Sequence, residues 1–108
     1  MIDESQIQAA FDRLSQTSEA AIARAERVYL DEYGAHLIGL IMKELDDVPA
    51  TTRKEVARAD PRYAEHVKRL RQAVYEDEWW RNERAVAIAL IDGWRTEQAS
   101  SRGRDRVG

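Results

Sequence analysis

Residues 46–63 read DDVPATTRKEVARADPRY, and the arrangement of the whole chain turns on them. Pro49 disfavours helical geometry at the residue before it and so ends the helix that leads up to it. Thr51 or Thr52 offers a hydroxyl to cap a short helix running through Arg58. Asp60 then stands before Pro61, a cap followed by proline at the first helical position, where the missing N–H is no loss. Two breaks this close together describe a corner between longer elements.

Both flanks of the corner are helical in pattern. Residues 3–47 contain no proline, and the first glycine is Gly34. Asp3 or Ser5 can cap the start. Ile7, Phe11, Leu14, Ser18, Ala21, Ala25 and Val28 recur at alternating steps of four and three, a heptad-like stripe on one helix. After Tyr29 the apolar surface widens to include Tyr33, Leu37, Ile38, Leu40, Ile41 and Leu45, a face too broad for one neighbour. Downstream, a helix is predicted from Pro61 to about Ser100, with Gly93 a tolerated weak point. The last stretch has only Val107 as a core-forming residue, so residues 101–108 are expected to form a flexible basic tail.

A short connection makes two long helices antiparallel neighbours. The expected fold is all-α. Residues 1–100 form one domain, a long antiparallel helical hairpin with a short corner helix near residues 50–59. With residue 45 near residue 62, Leu37 falls opposite Leu70, Tyr33 opposite Val74 and Ala20 opposite Ile88. On the second arm Tyr63, Val67, Leu70 and Val74 form an apolar stripe. It turns polar at Asp77, Arg81 and Arg84 and apolar again at Ile88 and Ile91. Arg81 then faces Glu26, and Asp77 comes within reach of Arg27 or Asp31. The commoner form of such a band is a set of solvated ion pairs where the helices splay. The other form is a polar layer that sets the register at some cost in stability.

The chain has 108 residues, 34% of them charged, and a net charge of −3. That length supports one modest core, and scarce Gly and Pro with abundant Ala, Glu, Arg and Leu suit long helices. With no cysteine, a disulfide framework, a thiolate zinc site and a cysteine nucleophile are excluded. No apolar run approaches the roughly 20 residues that span a bilayer, and MIDESQIQ does not resemble a signal peptide. A cytoplasmic protein without membrane contact is expected.

Catalytic patterns are wanting. Glu32 and His36 share a helical face, but a metal site needs a further converging ligand, and no Glu-x-x-His pair occurs. His66 stands between Glu65 and Lys68 with no evident partner. Asp46 and Asp47 are placed for solvation beside a proline, outside any cleft that would tune an acid–base pair. There is no phosphate-cradling glycine loop, nucleophile elbow or zincin motif. Gly34 and Gly39 are best explained by close helix packing. The expectation is a non-enzymatic protein with no cofactor and no metal.

Charge is unevenly spread. Residues 1–47 carry ten acids and four bases, whereas residues 48–72 carry seven bases and three acids. Around the corner, Arg53, Lys54, Arg58, Arg62 and Arg69 form the candidate nucleic-acid contact, since each neutralised phosphate releases counterions. Solvated helix ends carry similar charge clusters without any ligand.

Trp79 and Trp80 are adjacent, about 100° apart on a helix. Trp80 and Trp94, two heptads apart, share a face, while Trp79 lies beside Tyr75. A two-helix hairpin has too few neighbours for all of them. Leu40, Tyr75, Trp79, Trp80 and Trp94 are therefore the candidate oligomer or partner interface, one tryptophan of the adjacent pair to each contact. A homo-oligomer would complete a helical bundle.

Residues 59–102 resemble small all-helical proteins encoded by bacteriophages and prophages of proteobacteria. The shared elements are Asp60-Pro61-x-Tyr63, Leu70-x-x-Ala73-Val74, residues 85–91, and Trp94-Arg95-Thr96 before Ala99-Ser100-x-Arg102. YLDEY at 29–33 and LIMK at 40–43 extend the likeness upstream. The Gln/Glu-Arg residues usual before Asp-Pro are replaced by Thr52-Arg53-Lys54-Glu55. The resemblance implies a bacterial host cell and a place in a phage recombination or replication module, and it brings no functional residue with it. The expected function is thus an accessory protein of phage DNA metabolism, a helical oligomer that binds protein, DNA or both. The alternative is a phage inhibitor or adaptor that binds a host protein without contacting nucleic acid.

Overall fold

The computed structural model describes the backbone of residues 1–107. Gly108 and the side chains of residues 105–107 lie outside the described residues, and the far end of the expected tail with them. Four helices follow in order: α1 Glu4–Ser15, α2 Thr17–Lys43, α3 Arg53–Arg58 and α4 Pro61–Val107. No strand occurs among the described residues. The chain is all-α, with α2 and α4 as its long helix pair, and α4 runs on past Ser100, where the sequence pattern placed its end.

A short helix does form in the corner, but α2 ends at Lys43, before the stop at residues 46–49 that the sequence pattern placed there. Thr52 precedes α3, but its hydroxyl donates back to the Pro49 carbonyl at 3.1 Å rather than capping the helix. Arg53 satisfies the loop: its Nε donates to the Val48 carbonyl at 2.8 Å and its Nη2 to that of Asp46 at 3.4 Å. These carbonyls lie where α2 has ended and the helical ladder cannot serve them. Asp60 caps α4, its Oδ1 accepting the Arg62 backbone N–H at 2.8 Å across Pro61.

The single first helix expected over residues 3–47 is two helices. α1 opens with a capping box: the Gln6 N–H donates to Asp3 Oδ1 at 2.8 Å, and the Asp3 N–H donates to Gln6 Oε1 at 3.0 Å. It closes at Gln16, whose φ of −80° and ψ of 54° leave the helical region. The residues there are Ser15, Gln16, Thr17 and Ser18, and short polar side chains compete for the backbone. The Ser15 hydroxyl donates to the Asp12 carbonyl at 2.7 Å, and the Arg13 guanidinium donates to the Gln16 side chain at 3.0 Å. The Leu14 carbonyl accepts a bond from Arg84 Nη1 at 3.2 Å. Arg84 therefore supports the break.

The described residues fall into two compact units, one of residues 1–20 with 78–107 and one of Ala21–Asp77. In the second, α2 and α4 run antiparallel, shown by contacts of Glu44 with Arg62 and of Arg27 with Asp77. Its core gathers Ile38, Ile41 and Ala57, with Leu37, Met42, Leu45 and Tyr63 against them. Ala57 is fully buried, so α3 docks through its smallest side chain. Gly34 permits a further close approach: a Cβ there would lie 3.0 Å from His66 Nε2. Gly39, by contrast, has nothing within 4 Å of that position, so the packing role expected of it falls to Gly34 alone.

In the other unit α1 lies antiparallel to α4, with Ala10, Ala87 and Ile91 at its centre and Leu14 and Leu90 packed beside them. Ile2 bridges to α4, where a Cβ on Gly93 would come 3.0 Å from Ile2 Cδ1. The Ile2 N–H donates to the Glu97 carboxylate at 3.2 Å.

The buried face of α4 is not the predicted one. Val67 and Ile88 are 46% and 50% exposed, whereas His66, Ala73, Asp77 and Ala87 are buried. The inward positions are Tyr63, His66, Leu70, Ala73 and Asp77 in one unit, and Trp80, Arg84, Ala87, Ile91 and Trp94 in the other. Both sets step by three and four, as helices packing at a shallow angle require. The first-helix stripe shifts likewise: Phe11, Ser18, Ala21, Ala25 and Val28 are exposed, while Ala10, Ala23 and Leu30 are buried.

Asp77 does reach Arg27, at 3.0 Å. It is not part of a solvated band, since only 2% of its surface is exposed. The pair is a polar layer within its unit.

Candidate functional site

The five cations of the expected nucleic-acid contact divide by what already holds them. Arg53 is half-buried and bonded to loop carbonyls, so it closes the corner. Arg62 is held from two sides. Its guanidinium forms a fork with the Glu44 carboxylate, and its Nε and Nη2 donate to Asp60 Oδ1 and Oδ2, each at 3.0 Å. Hydrogen bonds to Glu44, then to Asp60, push the Arg62 pKa up. Bonding to Arg62 in turn lowers both carboxyl pKa values.

Because Glu44 and Asp60 have folded pKa values below their unfolded ones, their contribution is present above the unfolded values. It is lost as pH falls through the folded ones. All three groups are solvated, so salt screens the effect. In Arg62→Ala, the Glu44 carboxyl is expected to titrate at higher pH than in the native chain, where bonding to Arg62 holds it below the ordinary carboxylate range. An identical Glu44 midpoint in the two proteins, read by NMR, would show that the fork does not persist in solution.

Lys54, Arg58 and Arg69 are exposed, and among the described residues they make no ion pair. Lys54 and Arg58 are four apart on α3 and so share one face. They flank a cleft of about 380 Å³ whose lining also includes Asp31, Ile38, Tyr63, His66 and Leu70. The expected contact is thereby reduced to Lys54 and Arg58 at the cleft, with Arg69 on α4.

His66 is not the unattached surface residue that its charged neighbours suggest. It is 6% exposed, and its ring lies 5.9 Å from that of Tyr33 and 6.0 Å from that of Tyr63. The sequence signal for this was the glycine at position 34, whose missing side chain makes room for the imidazole. His36 is exposed, 5.5 Å from Tyr33. No three side chains of His, Cys, Asp or Glu converge on a metal-sized position among the described residues.

Among the candidate interface residues, Leu40 and Tyr75 are exposed in one unit, while the three tryptophans belong to the other. Trp79 and Trp80 do not part to separate surroundings. Their rings meet edge to face, 5.0 Å apart at 89°, a favoured aromatic geometry. The Arg13 guanidinium from α1 sits 4.9 Å from one ring and 5.3 Å from the other. One cation thus serves both indoles, and Glu83 pairs with it at 3.4 Å. Trp79 remains partly exposed, and Trp80 and Trp94 are half-buried.

No helix among the described residues is long and apolar enough to cross a membrane. No protein-family model, curated protein or solved structure matches the chain.

Proposed function

We propose that the protein is a non-enzymatic accessory factor that works as a helical oligomer in the bacterial cytoplasm, completing its bundle with a second copy and binding protein or DNA. The observation that carries this is the apolar surface left uncovered within each unit. Val28, Tyr29, Leu40 and Val67 are exposed in one, and Phe11, Val86 and Ile88 in the other. A pair of packed helices buries a single seam, and the flanking positions need a further layer. These exposed apolar side chains are what a second copy would cover. The setting in phage recombination or replication comes from the sequence resemblance alone.

One observation favours the adaptor that binds a host protein without nucleic acid. Arg53 and Arg62, two of the five cations of the proposed DNA contact, are already bonded within the chain. Lys54, Arg58 and Arg69 are left to meet phosphate.

Sedimentation tests the shared part of both readings. The native protein is expected to sediment as a dimer or larger at micromolar concentration. Leu40→Asp is expected to be monomeric with the same helix content, because the residue is already exposed in the single chain. A native monomer at high micromolar concentration would remove the oligomer. DNA titration then separates the readings. Salt-sensitive binding that is lost when Lys54, Arg58 and Arg69 are all changed to Glu supports the DNA factor. No binding at low salt leaves the adaptor.

A further inference from the structure

His66 has an unusual position. It is nine-tenths buried, yet among the described residues it makes neither a hydrogen bond nor an ion pair, and its only ring contacts are with Tyr33 and Tyr63. No fully enclosed side-chain nitrogen or oxygen lacks a partner among the described residues. The ring nitrogens of His66 therefore still meet solvent, and the opening available to them is the cleft that His66 lines. A nitrogen that meets solvent in a cleft can exchange its water for a ligand atom.

The walls say what kind of ligand. Lys54 and Arg58 belong to the lining, both without an ion pair among the described residues, and together with His66 they offer only N–H donors or a tautomer that can supply one. Ile38, Val67 and Leu70 provide apolar wall, and Asp31 is the one acid of the lining. The volume is near the lower end of the range for small-molecule sites. A polyanion would meet Asp31, whereas a ligand with one anionic head and an apolar body satisfies both kinds of wall.

We infer that this cleft binds a small organic anion, a phosphate monoester or carboxylate on an apolar or aromatic body, with its head held by Lys54, Arg58 and His66. The inference does not depend on self-association. Leu40→Asp should bind the same ligand whether or not it assembles, so the two ideas fail separately.

Phenyl phosphate is a suitable probe, followed through the ring C–H signals of His66 by NMR. Saturable shifts are expected at His66. Inorganic phosphate, lacking the body, should bind more weakly, and phenol, lacking the head, should leave the signals unmoved. Removing both cations in Lys54→Ala/Arg58→Ala should weaken binding by at least about tenfold. Both residues are exposed, so the fold should not change. His66→Phe keeps a ring against the two tyrosines but no nitrogen, and should also weaken binding. A purely structural histidine would leave the affinity alone. A 5′-phosphorylated oligonucleotide that competes with phenyl phosphate, when its 5′-hydroxyl counterpart does not, would assign the monoester to a strand end. Failure of both to compete would assign it to a free small molecule. No saturable shift at His66, or equal affinity after loss of Lys54 and Arg58, would overturn the site.

Discussion

Arg27→Ala is expected to destabilise the protein by about 3 kcal/mol, the lower end of the cost of breaking a buried ion pair from one side. The magnitude follows from an asymmetry within the pair. Asp77 is almost wholly buried, whereas a third of the Arg27 side chain remains exposed. Truncating the arginine strips a buried carboxylate of a charged partner, while the arginine itself was only partly desolvated. A small domain holds only about 5–15 kcal/mol in all, so the loss should be plain in a urea titration. The double change Arg27→Met/Asp77→Leu removes the charge and fills the space, and should be neutral or stabilising. If the single change costs less than about 1 kcal/mol, the pair behaves as a surface bridge and the polar layer is not a structural constraint.

The second large effect separates two residues adjacent in sequence. Ile41 is 1% exposed, the largest fully buried side chain among the described residues, and packs with Ile38 and Ala57 where α3 docks. Ile41→Ala should cost about 2–5 kcal/mol, because the methylenes lose their apolar surroundings and the cavity closes only in part. Leu40 is 41% exposed. Leu40→Ala should cost far less in the dilute single chain, and its larger effect should appear as weakened assembly at higher concentration. Denaturation at two protein concentrations distinguishes these outcomes. Equal losses at Leu40 and Ile41 at high dilution would mean that Leu40 is covered within its own chain.

The two positions also show how legibility fails along this chain. Both belong to the broad apolar run after Tyr29, and nothing in the residue types says which is core. Ala10, Ala23, Ala57, Ala73 and Ala87 are all buried, yet alanine carries little hydrophobic signal and is common on exposed helix faces. The larger Val67 and Ile88 outweigh it in any pattern and draw the predicted seam to the neighbouring face. Small side chains in the seam let two backbones approach closely, and that approach exists only once both helices are present.

The candidate sites divide in the same way. The cations around the corner can be read directly from residues 53–71, but their availability cannot. Arg62 becomes bonded because Glu44, just past the end of α2, meets it across the corner. Likewise Trp79 and Trp80 look like residues in want of two partners, until Arg13 on α1 comes to lie against both rings.

Local chemistry alone determined the helical class, the capped start at Asp3, the corner after Pro49 and the new helix at Pro61. Each depends on dihedral limits and hydrogen bonds within a few residues. Tertiary structure decided the burial of His66 over Gly34 and reinforced the break at Gln16, where Arg84 takes the Leu14 carbonyl. It also turned Asp77 from a solvated charge into a buried one. These depend on groups distant in sequence, and their free energies are realised only when packing excludes water between them.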